Sequence, residues 1–243
     1  MENLLRTGFS ELNISYDDRK IEQLLLYAKE LVEWNKKINL TAICDDFGIA
    51  TKHFLDSTTP LLTDYIKGNV IDVGTGAGFP GLVLKIMKPD INLTLLDSLN
   101  KRINFLKDVS SKMGIDAEFI HSRAEDSGRT HRAMYDTVVS RAVANMTVLS
   151  ELCLPFLKIG GYFLALKGPL ADEELEDAKK AIYILGGEIV DVFSANIPHT
   201  DLNHKIIIVK KVRQTPPQYP RKAGIVTKNP IGNCYNLKKK STK

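Results

Sequence analysis

The stretch VIDVGTGAGFPGLVLKI at residues 70–86 constrains this chain more than any other: a β-branched run stops at an acid, passes four glycines and resumes as an apolar stretch with helical spacing. That order predicts strand, glycine turn, helix. Val70, Ile71 and Val73 suit a strand covered on both faces, while Gly74, Gly76 and Gly78 remove the side chains that would keep a ligand off the backbone. Pro80 fits a first helical turn. The amides opening such a helix are expected to be unpaired and to sit at the positive end of its dipole, which suits a nucleotide or a carboxylate.

Two cofactors compete for the turn. Gly76, Gly78 and Gly81 spell the dinucleotide pattern GxGxxG, which admits an NAD-dependent oxidoreductase. Against this stands Asp72, two residues before the first glycine, because a carboxylate there repels a pyrophosphate and attracts an ammonium. S-adenosylmethionine carries a cationic α-amino group and a sulfonium, and no phosphate, so the turn favours it. A glycine turn with no ligand is the plainest alternative.

With 243 residues and 44% apolar content the chain can bury a large core, and one main domain is expected. It has no apolar run of membrane-spanning length and no secretory leader, so the cytosol is the expected location and no membrane partner is expected. Cys44, Cys153 and Cys234 are scattered, without a C-x-x-C pair, which argues against a disulfide framework and a metal site. Charge is uneven: residues 202–243 hold 11 of the 33 Lys and Arg and no acid, leaving 22 basic against 29 acidic side chains, a formal −7, in the rest. A basic arm on an acidic body points to a polyanionic partner; a solvated tail is the alternative.

Residues 15–40 read as one amphipathic helix that starts with a Ser15 and Asp18 capping pair, carries Trp34 toward the core and ends in the polar run around Asn35. His53, before Phe54, Leu55, Asp56 and Ser57, stands where the chain can close a second short helix or place an imidazole near the cleft, and it reads as structural, because no partner is visible in the sequence. Beyond the glycine turn, strands and helices alternate as in a doubly wound α/β sheet: strands at 93–96, 117–120, 136–139 and 162–166, helices at 101–113 and 169–185, and a final antiparallel hairpin from 188–193 and 205–211. Seven strands result. Asp97 ends the second strand, 19 residues beyond Gly78, where an acid can accept from both ribose hydroxyls of an adenosine. Ala124 and its neighbouring carboxylate follow the third strand, where they can read an adenine edge or form a plain acidic turn. After the fourth strand, Ser140-Arg141-Ala142-Val143 stands where methyltransferases acting on exocyclic amines carry an Asn/Asp-Pro-Pro-Tyr turn, and no cysteine is placed to attack a pyrimidine. The tail mixes Tyr219 with Arg221, Lys222 and Lys228, as an RNA-binding arm would.

The motifs WNKKINLTA (34–42), HFLDS (53–57), DVGTGAGFPGL (72–82), DSLNKR (97–102), RAE (123–125), SRAVA (140–144), ALKG (165–168) and YPRKAGIVTKNP (219–230) together resemble the bacterial small-subunit ribosomal RNA methyltransferase G family, also called glucose-inhibited division protein B. The resemblance spans nearly the whole chain. It implies a seven-stranded, Rossmann-like class I S-adenosylmethionine methyltransferase fold with an N-terminal helical extension at 1–66, a core at 67–212 and a basic tail at 213–243. It also implies transfer of a methyl group from S-adenosylmethionine to guanine N7 in a 16S ribosomal RNA loop, by a cytoplasmic monomer. Cofactor contacts are expected at Asp72, Gly74, Gly76, Gly78, Asp97, Ser98, Ala124 and Glu125, with Phe79 and Arg141 added by the resemblance alone. Lys101, Arg102, Lys167, Arg221 and Lys222 are the expected phosphate contacts, and no general base is expected, because N7 carries an in-plane lone pair and no proton. Val226 stands where the family usually has proline, which leaves the tail's geometry open. A non-catalytic RNA-binding protein that kept a cofactor fold is the second alternative to the methyltransferase.

Overall fold

A computed structural model describes residues 1–141, 143–168 and 171–232. Its centre is a seven-stranded sheet in the order β3-β2-β1-β4-β5-β7-β6. The strands are β1 (Asn69–Val73), β2 (Asn92–Asp97), β3 (Glu118–His121), β4 (Tyr135–Arg141), β5 (Leu157–Lys167), β6 (Gly187–Asn196) and β7 (Asn203–Lys211). The first five run parallel, and β7 pairs antiparallel with both β5 and β6. Seven strands and the closing hairpin are as the sequence predicts. Strand order reverses between β1 and β4, which opens a crevice beyond their C-terminal ends.

The helices preceding the sheet are α1 (Glu2–Glu11), α2 (Asp18–Asn35), and a continuous stretch of α3 (Asp46–Gly48), a π-helical segment Ile49–Leu55 and α4 (Asp56–Thr58). Around the sheet lie α5 (Gly81–Met87), α6 (Asn100–Met113), α7 (Ala124–Thr130), α8 (Met146–Cys153) and α9 (Ala171–Ile184), with a short α10 (Ile225–Lys228) near the end. Along β1, Val70 packs with α2, α5 and α6 on one face, while Ile71 and Val73 pack with α8 and α9 on the other. Successive strand residues thus serve two cores, which is why the run contains no surface position.

The first long helix is shorter than its pattern. Asp17, not Ser15, caps α2 by accepting from the Lys20 amide at 2.8 Å. Asn35 ends it: its Oδ1 accepts from the amides of Leu40 and Thr41 (2.6 and 3.0 Å), and its Nδ2 donates to the Thr41 carbonyl at 2.9 Å. These bonds fold residues 36–41 into a loop that carries Thr41 to the crevice. Trp34 packs edge-on against Phe105 and donates Nε1–H to Asp108 at 2.9 Å, the packing role its position suggests. Helix α8 escapes the sequence pattern because all eight of its residues are buried, so no polar face marks a helical period.

The described part of the tail is attached to the body. Arg132 donates to the carbonyls of Thr215, Pro216 and Tyr219, and Arg129 to that of Pro220. Arg221 grips Glu151 of α8 through Nε (2.9 Å) and Nη2 (2.7 Å), while its backbone amide adds a third bond at 2.8 Å. Val226, at the position of the family's proline, is fully buried against α8. Residues 213–232 therefore close over the second core instead of forming a free arm; Cys234 and the lysines at 238–240 and 243 lie outside the described residues.

Candidate active site

The glycine turn is held by its own amides. Gly74 and Thr75 donate to the Leu96 carbonyl (2.9 and 3.0 Å), Gly76 to Asp97 Oδ2 (3.0 Å), Gly78 and Phe79 to the Thr75 carbonyl (2.9 and 3.1 Å), and Gly81 to Asp72 Oδ2 (2.8 Å). The expectation of unpaired amides is therefore corrected. A pyrophosphate needs several free amides at a helix start, and these are committed. Gly74 has φ +72°, and a Cβ there would stand 2.7 Å from Val143 Cγ2. Gly78, at φ +96°, faces Tyr27 and Leu106 behind the turn. Both positions need glycine, the first toward the crevice and the second toward the core.

A cavity of about 460 Å³ opens beside the turn. Gly74, Gly76 and Phe79 form one wall, Asp97 and Ser98 the end of β2, Ala124 and Glu125 the start of α7, and Arg141 the end of β4. The eight sequence-derived positions just named are gathered here from four separate strand ends. Asp72 and Gly78 do not line it. Asp72 is fully buried beneath the turn, where Oδ2 accepts from Thr75 Oγ1 at 2.7 Å as well as from Gly81, so it anchors the loop instead of meeting an ammonium directly. Burial raises its carboxyl to about 6, against the bonds from Thr75 and Gly81.

The cavity fits an adenosyl group. Asp97, only 3% exposed, stands at its rim with Oδ1 accepting from the Leu99 amide at 2.8 Å and Oδ2 from Gly76 and from Arg102 Nη1 at 3.2 Å. A carboxylate so oriented retains lone-pair capacity for hydroxyl donors, and no Cβ crowds the space above Gly76. Arg102 thus lines this cavity and is paired with Asp97.

A second cavity of about 580 Å³ adjoins the first and shares His53, Arg141 and Val143 with it. His53 corrects the reading of a lone structural histidine. Its ring stacks on Phe79 with centroids 4.4 Å apart, and its Nε2 lies 2.8 Å from Thr41 Oγ1. Arg141 is anchored by Nη1 donation to Asp56 Oδ2 (2.6 Å) and the Lys52 carbonyl (3.1 Å), and its guanidinium sits 5.1 Å from the Phe79 ring centre. Burial, reinforced by Arg141, lowers His53 to about 4, so the imidazole is neutral near pH 7. Asp56 also binds His204 Nδ1 at 2.7 Å. Burial pushes the Asp56 carboxyl up, but the bonds and charges of His204 and Arg141 outweigh it and hold the group below its usual range; Asp56 in turn raises His204.

Thr41, Asp56 and His204 are the participants that sequence reasoning missed, and His53 is one it favoured as structural over a place near the cleft. The i, i+3 spacing of His53 and Asp56 was the available signal; His204, 148 residues beyond Asp56, gave none. Of the expected phosphate contacts, Lys101 and Lys222 are exposed. Lys167 is 8% exposed and bonds Glu174 Oε2 (2.7 Å) and the Ala144 carbonyl (2.6 Å), and Arg221 is neutralised by Glu151, so neither is a free cation.

The parallel sheet with an antiparallel β7 inserted before its edge, and the crevice beyond the glycine turn, define the class I S-adenosylmethionine methyltransferase fold. Solved structures of this fold superpose on the chain: a SAM-dependent methyltransferase from Leishmania major (TM-score 0.54, 15% identity, 76% of this chain and 83% of that one) and a putative methyltransferase from Bacillus halodurans (TM-score 0.51, 13% identity, 65% and 99%). The chain belongs to the GidB family, described as rRNA small subunit methyltransferase G, whose sequence pattern matches residues 20–203. Relatives called ribosomal RNA small subunit methyltransferase G are 52% identical in Alkaliphilus oremlandii, over 95% of this chain and 99% of theirs, and 49% identical in Alkaliphilus metalliredigens, over 94% and 98%. Among the described residues no helix is long and apolar enough to cross a membrane, and no group of His, Cys, Asp and Glu is placed to hold a metal.

Proposed function

We propose that this chain methylates N7 of a guanine in the 16S ribosomal RNA of the small subunit, acting as a cytoplasmic monomer with S-adenosylmethionine as methyl donor. The observation that carries this reading is the contact of the two cavities across one wall of His53, Arg141 and Val143, the first with room for an adenosyl group beside the glycine turn and the second with room for the base to be methylated. When bound, S-adenosylmethionine supplies an electrophilic sulfonium methyl, which the N7 lone pair takes as the S–C bond breaks and the positive charge passes to the purine.

The residues of the chain supply position. Asp97 and Ser98 would hold the ribose, Ala124 and Glu125 the adenine edge, and Gly74 and Gly76 leave room for the methionine portion. No proton leaves N7, so no base is required, and His53, lowered to about 4, is a poor one in any case. Holding donor and acceptor in line is worth on the order of 7 to 11 kcal/mol when well arranged. Exposed Lys101 and Lys222 remain as phosphate contacts.

Radiolabelled methyl incorporation into small subunits and into naked 16S RNA tests the activity, and borohydride followed by aniline maps the site. An N7-methylguanine carries a cationic ring and should be cut there. Incorporation into an uncut product would overturn the N7 assignment; binding without incorporation would favour a non-catalytic RNA-binding protein.

A further inference from the structure

Guanine N7 does not by itself select guanine, because adenine has the same ring nitrogen. Selection needs groups that read the rest of the base, and the purines differ in the order of their polar atoms. Guanine presents an O6 acceptor beside an N1–H donor and a 2-amino donor; adenine presents a donor beside an acceptor. A protein site that prefers guanine therefore needs an N–H donor next to a carboxylate.

The second cavity contains one such pair. Lys167, at the end of β5, and Glu174, in the first turn of α9, both line it, with Lys167 Nζ 2.7 Å from Glu174 Oε2. Two of the Lys167 protons are placed, one on Glu174 and one on the Ala144 carbonyl at 2.6 Å, leaving a third for an acceptor. Glu174 Oε2 also accepts from the Met146 amide at 2.9 Å, which fixes the carboxylate, while its side chain is 31% exposed and lines the cavity. The other carboxylate on the lining, Asp56, is 3% exposed and has both oxygens engaged, Oδ2 by Arg141 and Oδ1 by His204. Neither Lys167 nor Glu174 lines the cofactor cavity, so the pair lies away from the shared wall of His53, Arg141 and Val143. A purine whose N7 faces that wall directs its N1 and 2-amino edge into the remainder of the same cavity.

We infer that the Lys167–Glu174 pair reads the acceptor base, Lys167 donating to guanine O6 and Glu174 accepting from N1–H and the 2-amino group. The inference rests on the guanine-N7 reading above. It turns Lys167 from a phosphate contact into a base contact, and it explains why a charged pair is kept at the edge of a cavity where an apolar pair would pack as well.

Glu174→Gln is the discriminating change. Its carbonyl keeps the bonds from Lys167 and the Met146 amide, and its NH₂ then turns toward the cavity, a donor facing donors. After mapping of the modified guanine, an RNA fragment carrying inosine there, which lacks only the 2-amino group, is compared with the guanine fragment by single-turnover methylation. Wild type is expected to prefer guanine to inosine by about tenfold, one charge-assisted hydrogen bond. Glu174→Gln is expected to slow the guanine fragment by about 100-fold, bring the ratio near one and leave S-adenosylhomocysteine affinity unchanged. A variant slowed equally on both fragments, with the wild-type ratio retained, would reduce the pair to a brace between β5 and α9 and overturn the inference. A wild-type ratio near one overturns it whether or not the variant folds. Wild type that methylates neither fragment nor intact 16S RNA overturns the N7 reading first, and with it this one.

Discussion

The cavity beside the glycine turn takes one wall from that single turn, Val73 to Ala77 with Phe79, whereas its neighbour is assembled from His53, Asp56, Arg141, Lys167, Glu174 and His204 on separate segments. The first is stiffened by backbone amides bonded within and just around the turn, the second by a chain of side-chain contacts from His204 through Asp56 to Arg141. A turn can be damaged at one position, where backbone conformation is at stake. A side-chain cluster fails by steps, each removing one bond and leaving its neighbours.

Gly74→Val should have the largest effect. A β-branched residue at φ +72°, with its Cβ 2.7 Å from Val143, adds backbone strain of about 2 kcal/mol and pushes the wall into the cavity. S-adenosylhomocysteine binding by calorimetry should fall at least about 100-fold in a folded protein; near-native affinity would separate this turn from the cofactor.

Arg221→Ala is next, and it tests the tail against both cavities. Removing one partner from Glu151, which is 1% exposed, should cost about 3 kcal/mol of stability. Cofactor affinity and the salt slope of RNA binding should hold, whereas Lys222→Ala should leave the melting temperature alone and flatten the log-log salt slope by about one. A flatter slope in Arg221→Ala at unchanged stability would restore Arg221 as an RNA contact.

The Asp56 cluster should respond to pH in steps. His204 is raised above 6.5 by Asp56, so its share of stability is complete below about pH 6.5 and is lost as pH rises through the raised value. Asp56 is lowered below 3.8, so its share is present above that pH and is lost only as pH falls through the lowered value. With His204 half-buried, the contribution is about 1 kcal/mol, and the melting temperature should drop by roughly 2 °C between pH 6 and 9. His204→Gln should abolish that drop; a drop of the same size in the variant would assign it to another group.

His53→Gln should have the smallest effect on the pH profile. The imidazole, lowered to about 4, is already neutral from pH 6.5 to 8.5, so the rate should neither gain nor lose an ionisation over that range. A limb that vanished with the substitution would make His53 an acid–base participant.

Most of the sheet was legible because its strands are covered on both faces and read as short apolar runs between turn residues. The hairpin of β6 and β7 and the gathering of Asp97, Ala124 and Glu125 around one cavity follow from where strands end. Helices α7 and α8 did not stand out, the first short and polar, the second buried throughout. From the sequence Arg102, Lys167 and Arg221 stand as candidate phosphate contacts, because a sequence displays a charge without its counterion; Asp97 is near Arg102 in sequence, but Glu151 is 70 residues from Arg221.

By itself the sequence determined the alternating sheet, the glycine turn and its acid, and the family to which the chain belongs, since each depends on residues close together or on motifs read in order. Tertiary structure alone decided that the turn's amides are committed, that Asp72 lies beneath the loop, that the tail closes over Glu151, and that His53, Arg141 and Val143 stand between two cavities. The division has one physical cause. Local conformation follows from neighbouring side chains, whereas the partner of a charge or a buried hydrogen bond is whatever the fold brings within about 3 Å, at any distance along the chain.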